Sequence, residues 1–278
     1  MEKGNQRRLP HRLVRWRPFL HSSAARRCVR LYPFRTARHG MHLETLSAVH
    51  IWQLDLDCGA LDAYSAILSL DEQARADRYF SESLRCDFMR ARCALRLVLA
   101  EYSGYAPAGI VFRYGEFGKP EINWPNAGLA RHFNLSHSGR HALIAVSAYP
   151  VGIDLEYMLR ADCDIGALID IVCHPREKET FKLCPPAQRA ALFYRIWSRK
   201  EAYCKALGIG LQANMGNLSV EDEQALPIAL VQDDRLMQTS RYYSYLLALH
   251  QANLAYSASV CLPIPDAAIS LRPWALPQ

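Results

Sequence analysis

Val151-Gly152-Ile153-Asp154-Leu155-Glu156 decides the fold of this chain, because it reads as a strand with two unlike faces. In an extended segment side chains alternate, so Ile153 and Leu155 point into a core while Asp154 and Glu156 project together on the other side. A second run, Trp197-Ser198-Arg199-Lys200-Glu201-Ala202-Tyr203-Cys204-Lys205, follows it. Its helical period puts Trp197, Glu201 and Lys205 on one face, so a third carboxylate and a cation sit together beside an aromatic. Three acids in one partly buried site repel unless a hard divalent cation joins them. Magnesium suits that role. It binds through few carboxylates and fills its shell with water and substrate phosphate, which also accounts for a lysine in the cluster. Taken singly, each run has a plainer reading, as a strand ending in solvated acids and as a surface Lys-Glu pair.

Three further segments bear on the site. Phe133-Asn134-Leu135-Ser136-His137-Ser138 precedes Ala142-Leu143-Ile144-Ala145-Val146-Ser147, an apolar run that reads as a buried strand. Gly118-Lys119-Pro120 offers close backbone approach at the glycine and a phosphate partner at the lysine. Arg90-Ala91-Arg92 lies on a helix that runs on through Arg96.

The order G-K-P, N-L-S-H-S, V-G-I-D-L-E and W-S-R-K-E-A-Y-C-K resembles the 4′-phosphopantetheinyl transferases of the Sfp type, over roughly residues 47–262. The resemblance implies an α+β fold of two similar halves about a pseudo-twofold axis, with coenzyme A in the cleft between them. It implies that Asp154, Glu156 and Glu201 hold magnesium against the pyrophosphate of coenzyme A, and that Lys205 contacts the same phosphates. Ser136 and His137 match positions that bind a coenzyme A phosphate, while Gly118 and Lys119 match the nucleotide-binding segment. Arg90 matches an arginine that reaches the 3′-phosphate, and Arg75 an upstream cation. The partners so implied are coenzyme A and an apo acyl or peptidyl carrier protein, served by a monomer.

The chemistry of the residues agrees. Moving a phosphopantetheine arm to a carrier serine is attack by a hydroxyl on phosphorus, so positioning and charge neutralisation dominate. A base must still take the serine proton, a step that typically contributes ~10²–10⁴-fold, and Glu201 is the candidate, directly or through water. Two other readings stay open on the acids alone. One is a magnesium-dependent nucleotide phosphoesterase, which leaves N-L-S-H-S and G-K-P unexplained; the other is a non-catalytic binder of coenzyme A and carrier protein, against which the intact acid trio speaks.

Composition is that of a cytoplasmic enzyme: 278 residues, 50% hydrophobic and 22% charged, with no apolar run of the ~20 residues a membrane span needs. The nine cysteines form no C-x-x-C pair and read as reduced core residues. Charge is uneven. Residues 1–40 hold eleven Lys or Arg against one acid, Glu2, a net +10, so with the whole chain at +6 the remainder stands at −4. That first segment reads as a disordered extension without a folded role, ahead of Met41, rather than a targeting peptide or nucleic-acid arm.

The pattern then divides at Tyr149-Pro150, where proline restricts the backbone, into residues 41–149 and a metal-bearing half at 150–278. The first half should contain a strand at Val49–Asp57, a helix entered through a Ser69/Glu72 capping box, a long helix from Glu82 to Tyr102 ended by glycine, and strands near 110–114 and 141–148. The second should contain the strand at 151–156, helices near 164–172 and 176–183, the W-S-R-K-E helix ended by Gly208 and Gly210, and closing strands near 228–231, 242–250 and 254–262, with a turn at 251–253.

Overall fold

A computed structural model describes residues 48–56, 59–125, 132–158, 165–210, 215–220, 228–229, 231–232, 242–249 and 255–274. The basic segment 1–40 and the turn at 251–253 lie outside the described residues. In chain order the elements are β1 (Ala48–Asp55), α1 (Leu70–Ala76), α2 (Glu82–Ser103), β2 (Arg113–Tyr114), β3 (Pro120–Glu121), β4 (His132–Ser138), β5 (His141–Ser147), β6 (Gly152–Tyr157), α3 (Ile165–Val172), α4 (Pro175–Leu183), α5 (Pro186–Leu207), β7 (Leu218–Ser219), β8 (Ile228–Ala229), β9 (Val231–Gln232), β10 (Tyr243–Leu246), β11 (Tyr256–Leu262) and β12 (Ala268–Pro273). No helix among the described residues is long and apolar enough to cross a membrane.

The fold is α+β. Two four-stranded sheets run β12-β1-β5-β4 and β6-β11-β10-β8. Alternation along the strands assigns each side chain a face. Val49, Ile51, Leu143 and Ala145 from the first sheet join Ile153, Leu155, Ala258 and Val260 from the second in one shared core. The opposite face of the first sheet packs Trp52, Leu54, Ile144 and Val146 on Leu95, Val98 and Leu99 of α2. Full burial of each such aliphatic side chain is worth about 1.5–3 kcal/mol. β1 is therefore buried on both faces, His50 and Gln53 included.

The halves repeat one connectivity. The first strand pairs antiparallel with the last, and the last with its predecessor: β1 with β5 and β5 with β4, then β6 with β11 and β11 with β10. Each half also has a 22-residue helix ended by a left-handed glycine, Gly104 at φ 73° and Gly208 at φ 70°. Eight residues before that glycine each helix buries a cation on a capping-box glutamate of the preceding short helix. In the first half Arg96 Nε meets Glu72 at 2.7 Å, with Arg92 on the same carboxylate at 2.6 Å. In the second Lys200 Nζ meets Glu177 at 2.6 Å and donates also to the carbonyls of Val172 and Met215. Matched buried pairs at matched positions are the clearest trace of an internal repeat.

The sheets meet at the edges β4 and β6, where three side chains stand in for a backbone ladder. The N–H groups of Ile153, Leu155 and Tyr157 donate to Asn134 Oδ1 (2.8 Å), Ser136 Oγ (3.2 Å) and Ser138 Oγ (3.0 Å). The N-x-S-x-S spacing is thus a strand with period two, which the sequence reading left unassigned. Asn134→Val should destabilise the protein by about 1–3 kcal/mol, because the buried Ile153 N–H loses its acceptor. A denaturant titration measures this, and a change under half a kcal/mol would show that the stitch is slack.

The fold differs from expectation in several places. The strand expected near 110–114 is confined to Arg113–Tyr114, because Ile110 is buried in the first core and its carbonyl is taken by Arg96. The C-terminal strand β12 leaves the second half and pairs parallel with β1, covering an edge that would otherwise be open. Tyr245 fixes the crossing: its hydroxyl donates to the carbonyls of Ile264 and Pro265 and accepts from Ala267 N–H. Among the described residues, the closing strands expected near 228–231, 242–250 and 254–262 are Ile228–Ala229, Val231–Gln232, Tyr243–Leu246 and Tyr256–Leu262.

Candidate active site

β6 turns Ile153 and Leu155 into the shared core and leaves Asp154 and Glu156 on the face covered by α5, as period two requires. That face is built of small residues. Gly152 lies so close to the helix that a Cβ there would overlap Ala202 O and Ala206 N. Ser259 and Ser257, opposite Asp154 and Glu156 in the register, bond with Ser198 of α5 at 2.9 and 3.1 Å. The helix thus descends far enough for Glu201 and Lys205 to reach the strand.

Lys205 Nζ bonds Asp154 Oδ1 at 2.6 Å and Ser136 Oγ at 2.9 Å. Ser136 Oγ in turn donates to Asp154 at 3.1 Å while accepting Leu155 N–H, so the serine joins the two halves at the acid. Glu156 accepts Trp197 Nε1–H at 2.8 Å on one oxygen, and Ser138 Oγ lies 3.5 Å from the other. The sequence placed Trp197 beside the cluster; its indole proves to be a hydrogen-bond partner of the acid, as a buried indole N–H generally requires.

Glu201 is buried on the same face. Burial, and then repulsion from Asp154 and Glu156, push its pKa from 4.5 up to about 7 against the pull of Lys205. Burial works against the Lys205 ammonium, yet Asp154, Glu201 and Glu156 together hold its pKa above the ordinary lysine value. All three acids thus act electrostatically on Lys205, and Asp154 and Glu156 on Glu201. Asp154 Oδ2 and Glu201 Oε1 are buried without a hydrogen-bond partner. Unpaired buried carboxylate oxygens are costly, and hard oxygen donors are what magnesium takes, so the donor set fits that ion. Among the described residues no three such side chains are already drawn to a single ligating point; Asp154 and Glu156 are instead engaged by Lys205 and by Trp197.

The expected cofactor-binding residues divide into two groups. His137 points away from Ser136 and Ser138 and is exposed. Crowding by nearby protein atoms, and then the charges of Lys205 and Arg75, lower the pKa of this solvent-facing ring. Arg75, itself exposed and lying over the Phe88 ring, therefore sits within electrostatic reach of the site. Gly118 forms a turn at φ 80° between β2 and β3, where a left-handed backbone favours glycine. Arg90 and Lys119 face inward. Arg90 Nη1 donates to Leu56 O at 3.0 Å, and Lys119 Nζ to the carbonyls of Val151 and Ala206 at 3.2 and 2.9 Å. Burial lowers the Lys119 pKa to about 8. The sequence could not foretell either turn inward, since all three carbonyls belong to distant segments.

Residues 150–261 match the family model of the 4′-phosphopantetheinyl transferase superfamily. The chain is similar to the 4′-phosphopantetheinyl transferase HetI of Nostoc sp., 40% identical over 59% of this chain and 70% of that one. It is likewise similar to a 4′-phosphopantetheinyl transferase of Bacillus subtilis, 30% identical over 76% of this chain and 89% of the relative. A third relative, the B. subtilis 4′-phosphopantetheinyl transferase Sfp, is 23% identical over 74% of this chain and 86% of its own.

Proposed function

The chain belongs to the 4′-phosphopantetheinyl transferase superfamily, and from that premise we propose that it moves the 4′-phosphopantetheine arm of coenzyme A to a serine of an apo acyl or peptidyl carrier protein. The products are holo carrier protein and adenosine 3′,5′-bisphosphate. The serine oxygen forms a bond to the phosphorus that bears the pantetheine, and the bond from that phosphorus to the bridging oxygen of the pyrophosphate breaks. One observation carries the reading: Lys205 of one half bonds Asp154 and, from the other half, Ser136, while Asp154 Oδ2 and Glu201 Oε1 are buried without a hydrogen-bond partner.

Asp154, Glu156 and Glu201 would hold magnesium, which when bound neutralises charge on the pyrophosphate. Lys205 orients and stabilises the same phosphates, after exchanging Asp154 for them. Glu201, with a pKa of about 7, is suited to take the serine proton near neutral pH. His137, Ser136, Arg75 and the Gly118 turn are assigned to coenzyme A binding on the family resemblance, which the electrostatic reach of Lys205 and Arg75 to His137 supports. Arg90 and Lys119 already hold carbonyl partners, and a phosphate would have to meet their remaining N–H donors. The reading takes the protein as a cytoplasmic monomer acting on soluble carriers, with no nucleic acid or membrane in the reaction.

Incubating the protein with coenzyme A, magnesium and an apo carrier, then weighing the carrier, tests this. A transferase adds one phosphopantetheine mass to one serine. An esterase consumes coenzyme A without a carrier, and a binder leaves both unchanged.

The raised pKa of Glu201 also predicts how magnesium and pH interact. Between 4.5 and about 7 the folded protein keeps a proton that the unfolded chain has lost, so in magnesium-free solution this group makes stability fall as pH rises through that range. Binding a cation needs the carboxylate, so magnesium should raise the melting temperature more at about pH 8 than at about pH 6. Equal shifts at both pH values would show that Glu201 does not meet the ion.

A further inference from the structure

We propose that Lys119 is a positioning residue: its ammonium pins the last turn of α5 to the start of β6 and so keeps Lys205 on Asp154. The inference rests on the transfer reading only for its kinetic part. The hairpin β2–β3 that presents Lys119 is closed by Gly115 N–H on Lys119 O and by Gly118 N–H on Gly115 O, both at 2.9 Å. It belongs to the first half of the chain but leans on the end of α5. A Cβ built on Gly208 would lie 3.4 Å from Lys119 Cδ, and one built on Gly210 would lie 3.3 Å from Phe117 Cβ. From there Lys119 Nζ reaches Ala206 O at 2.9 Å and Val151 O at 3.2 Å.

Those two carbonyls are informative. Ala206 follows Lys205, and its carbonyl is among the last of α5, which have no partner within the helix. Val151 precedes Gly152, the residue whose missing side chain lets the helix touch the strand. Ala206 and Val151 are both buried, so one ammonium satisfies two carbonyls that have little access to water and sits favourably at a helix C-terminus. Gly152 allows the close approach and Lys119 fastens it. The contact so fixed is the one on which Lys205 meets Asp154 at 2.6 Å. A lysine serving mainly as a phosphate ligand would instead keep its ammonium in the cleft.

Lys119→Met tests the pin, since it keeps the apolar stem and removes the charge. Three readouts separate the possibilities. Amide exchange in the peptide covering 203–209 should accelerate about tenfold or more through fraying of the last turn. Turnover at saturating coenzyme A should fall by about tenfold to a hundredfold, as expected for a misplaced phosphate-binding lysine. The dissociation constant for coenzyme A, measured by calorimetry, should stay within about threefold, whereas loss of a direct charge-assisted phosphate contact costs about tenfold or more. Gly152→Ala, which forces the same joint apart, should accelerate exchange in the same peptide. Weaker coenzyme A binding with exchange and saturated turnover unchanged would overturn the proposal in favour of a phosphate ligand. No change in any readout would overturn it as well. Should the wild-type protein fail to modify a carrier, the transfer reading falls, and the exchange measurement still decides the pin.

Discussion

Glu201→Gln is expected to reduce transfer by about 10³-fold or more while leaving the protein folded. The substitution keeps the size and shape of the side chain, exchanges one acceptor oxygen for a donor, and removes the charge. It takes away at once a proposed metal ligand and the group proposed to accept the serine proton, and the second loss alone is worth ~10²–10⁴-fold. The fold should not suffer, because the carboxylate is destabilising where it stands: burial and two neighbouring acids hold its pKa at about 7. In the absence of magnesium the variant should therefore melt at or above the wild-type temperature at alkaline pH, and lose most of the magnesium-induced gain. Steady-state rates on an apo carrier, with melts in and out of magnesium, check both halves of the claim. Turnover within about tenfold of wild type would remove Glu201 from the mechanism.

The neighbouring residue should behave in the opposite way. Lys200→Met is expected to cost about 3–5 kcal/mol of stability, because it leaves Glu177 buried without its cation. That is a large part of the 5–15 kcal/mol typical of a folded domain. Lys200 and Glu177 are both fully buried, and burial draws the Lys200 pKa below its usual value even with Glu177 beside it. Adding Glu177→Leu should recover only part of the loss. Glu177 also accepts the N–H groups of Val220 and His174 at 2.8 Å, and the aliphatic replacement orphans both. Denaturant midpoints of the single and double variants decide this. A loss below about 1 kcal/mol for Lys200→Met would show that the pair is dispensable. Two adjacent residues of one motif thus divide its labour, Lys200 holding α5 in place and Glu201 presenting chemistry.

The parts legible in the sequence were those governed by local periodicity. Period two along 152–157 separates Ile153 and Leu155 from Asp154 and Glu156, and a period of four along α5 aligns Trp197, Glu201 and Lys205. Glycines mark both long helix ends, and Ser69 with Glu72 forms the expected capping box. What was not legible depends on partners far away in the chain. Asn134, Ser136 and Ser138 resemble a polar loop until β6 supplies the N–H groups they accept, 19 residues on. β12 joins β1 across most of the chain, which no local pattern encodes. Lys119 reads as a phosphate partner from the glycine beside it and Arg90 from the family resemblance, and in the fold each finds a buried or half-buried carbonyl instead. The repeat was faint for the same reason: the matched ion pairs use arginine in one half and lysine in the other.

The central claim is that Asp154, Glu156 and Glu201 gather one divalent ion against the pyrophosphate of coenzyme A, beside Lys205. Crystals grown with coenzyme A and manganese in place of magnesium test it most directly, through the anomalous signal of the metal. The account predicts one peak in contact with carboxylate oxygens of all three acids and with the pyrophosphate, and Lys205 moved from Asp154 onto phosphate oxygen. A peak held elsewhere, or coenzyme A bound in the cleft with the three acids making no metal contact, would contradict it.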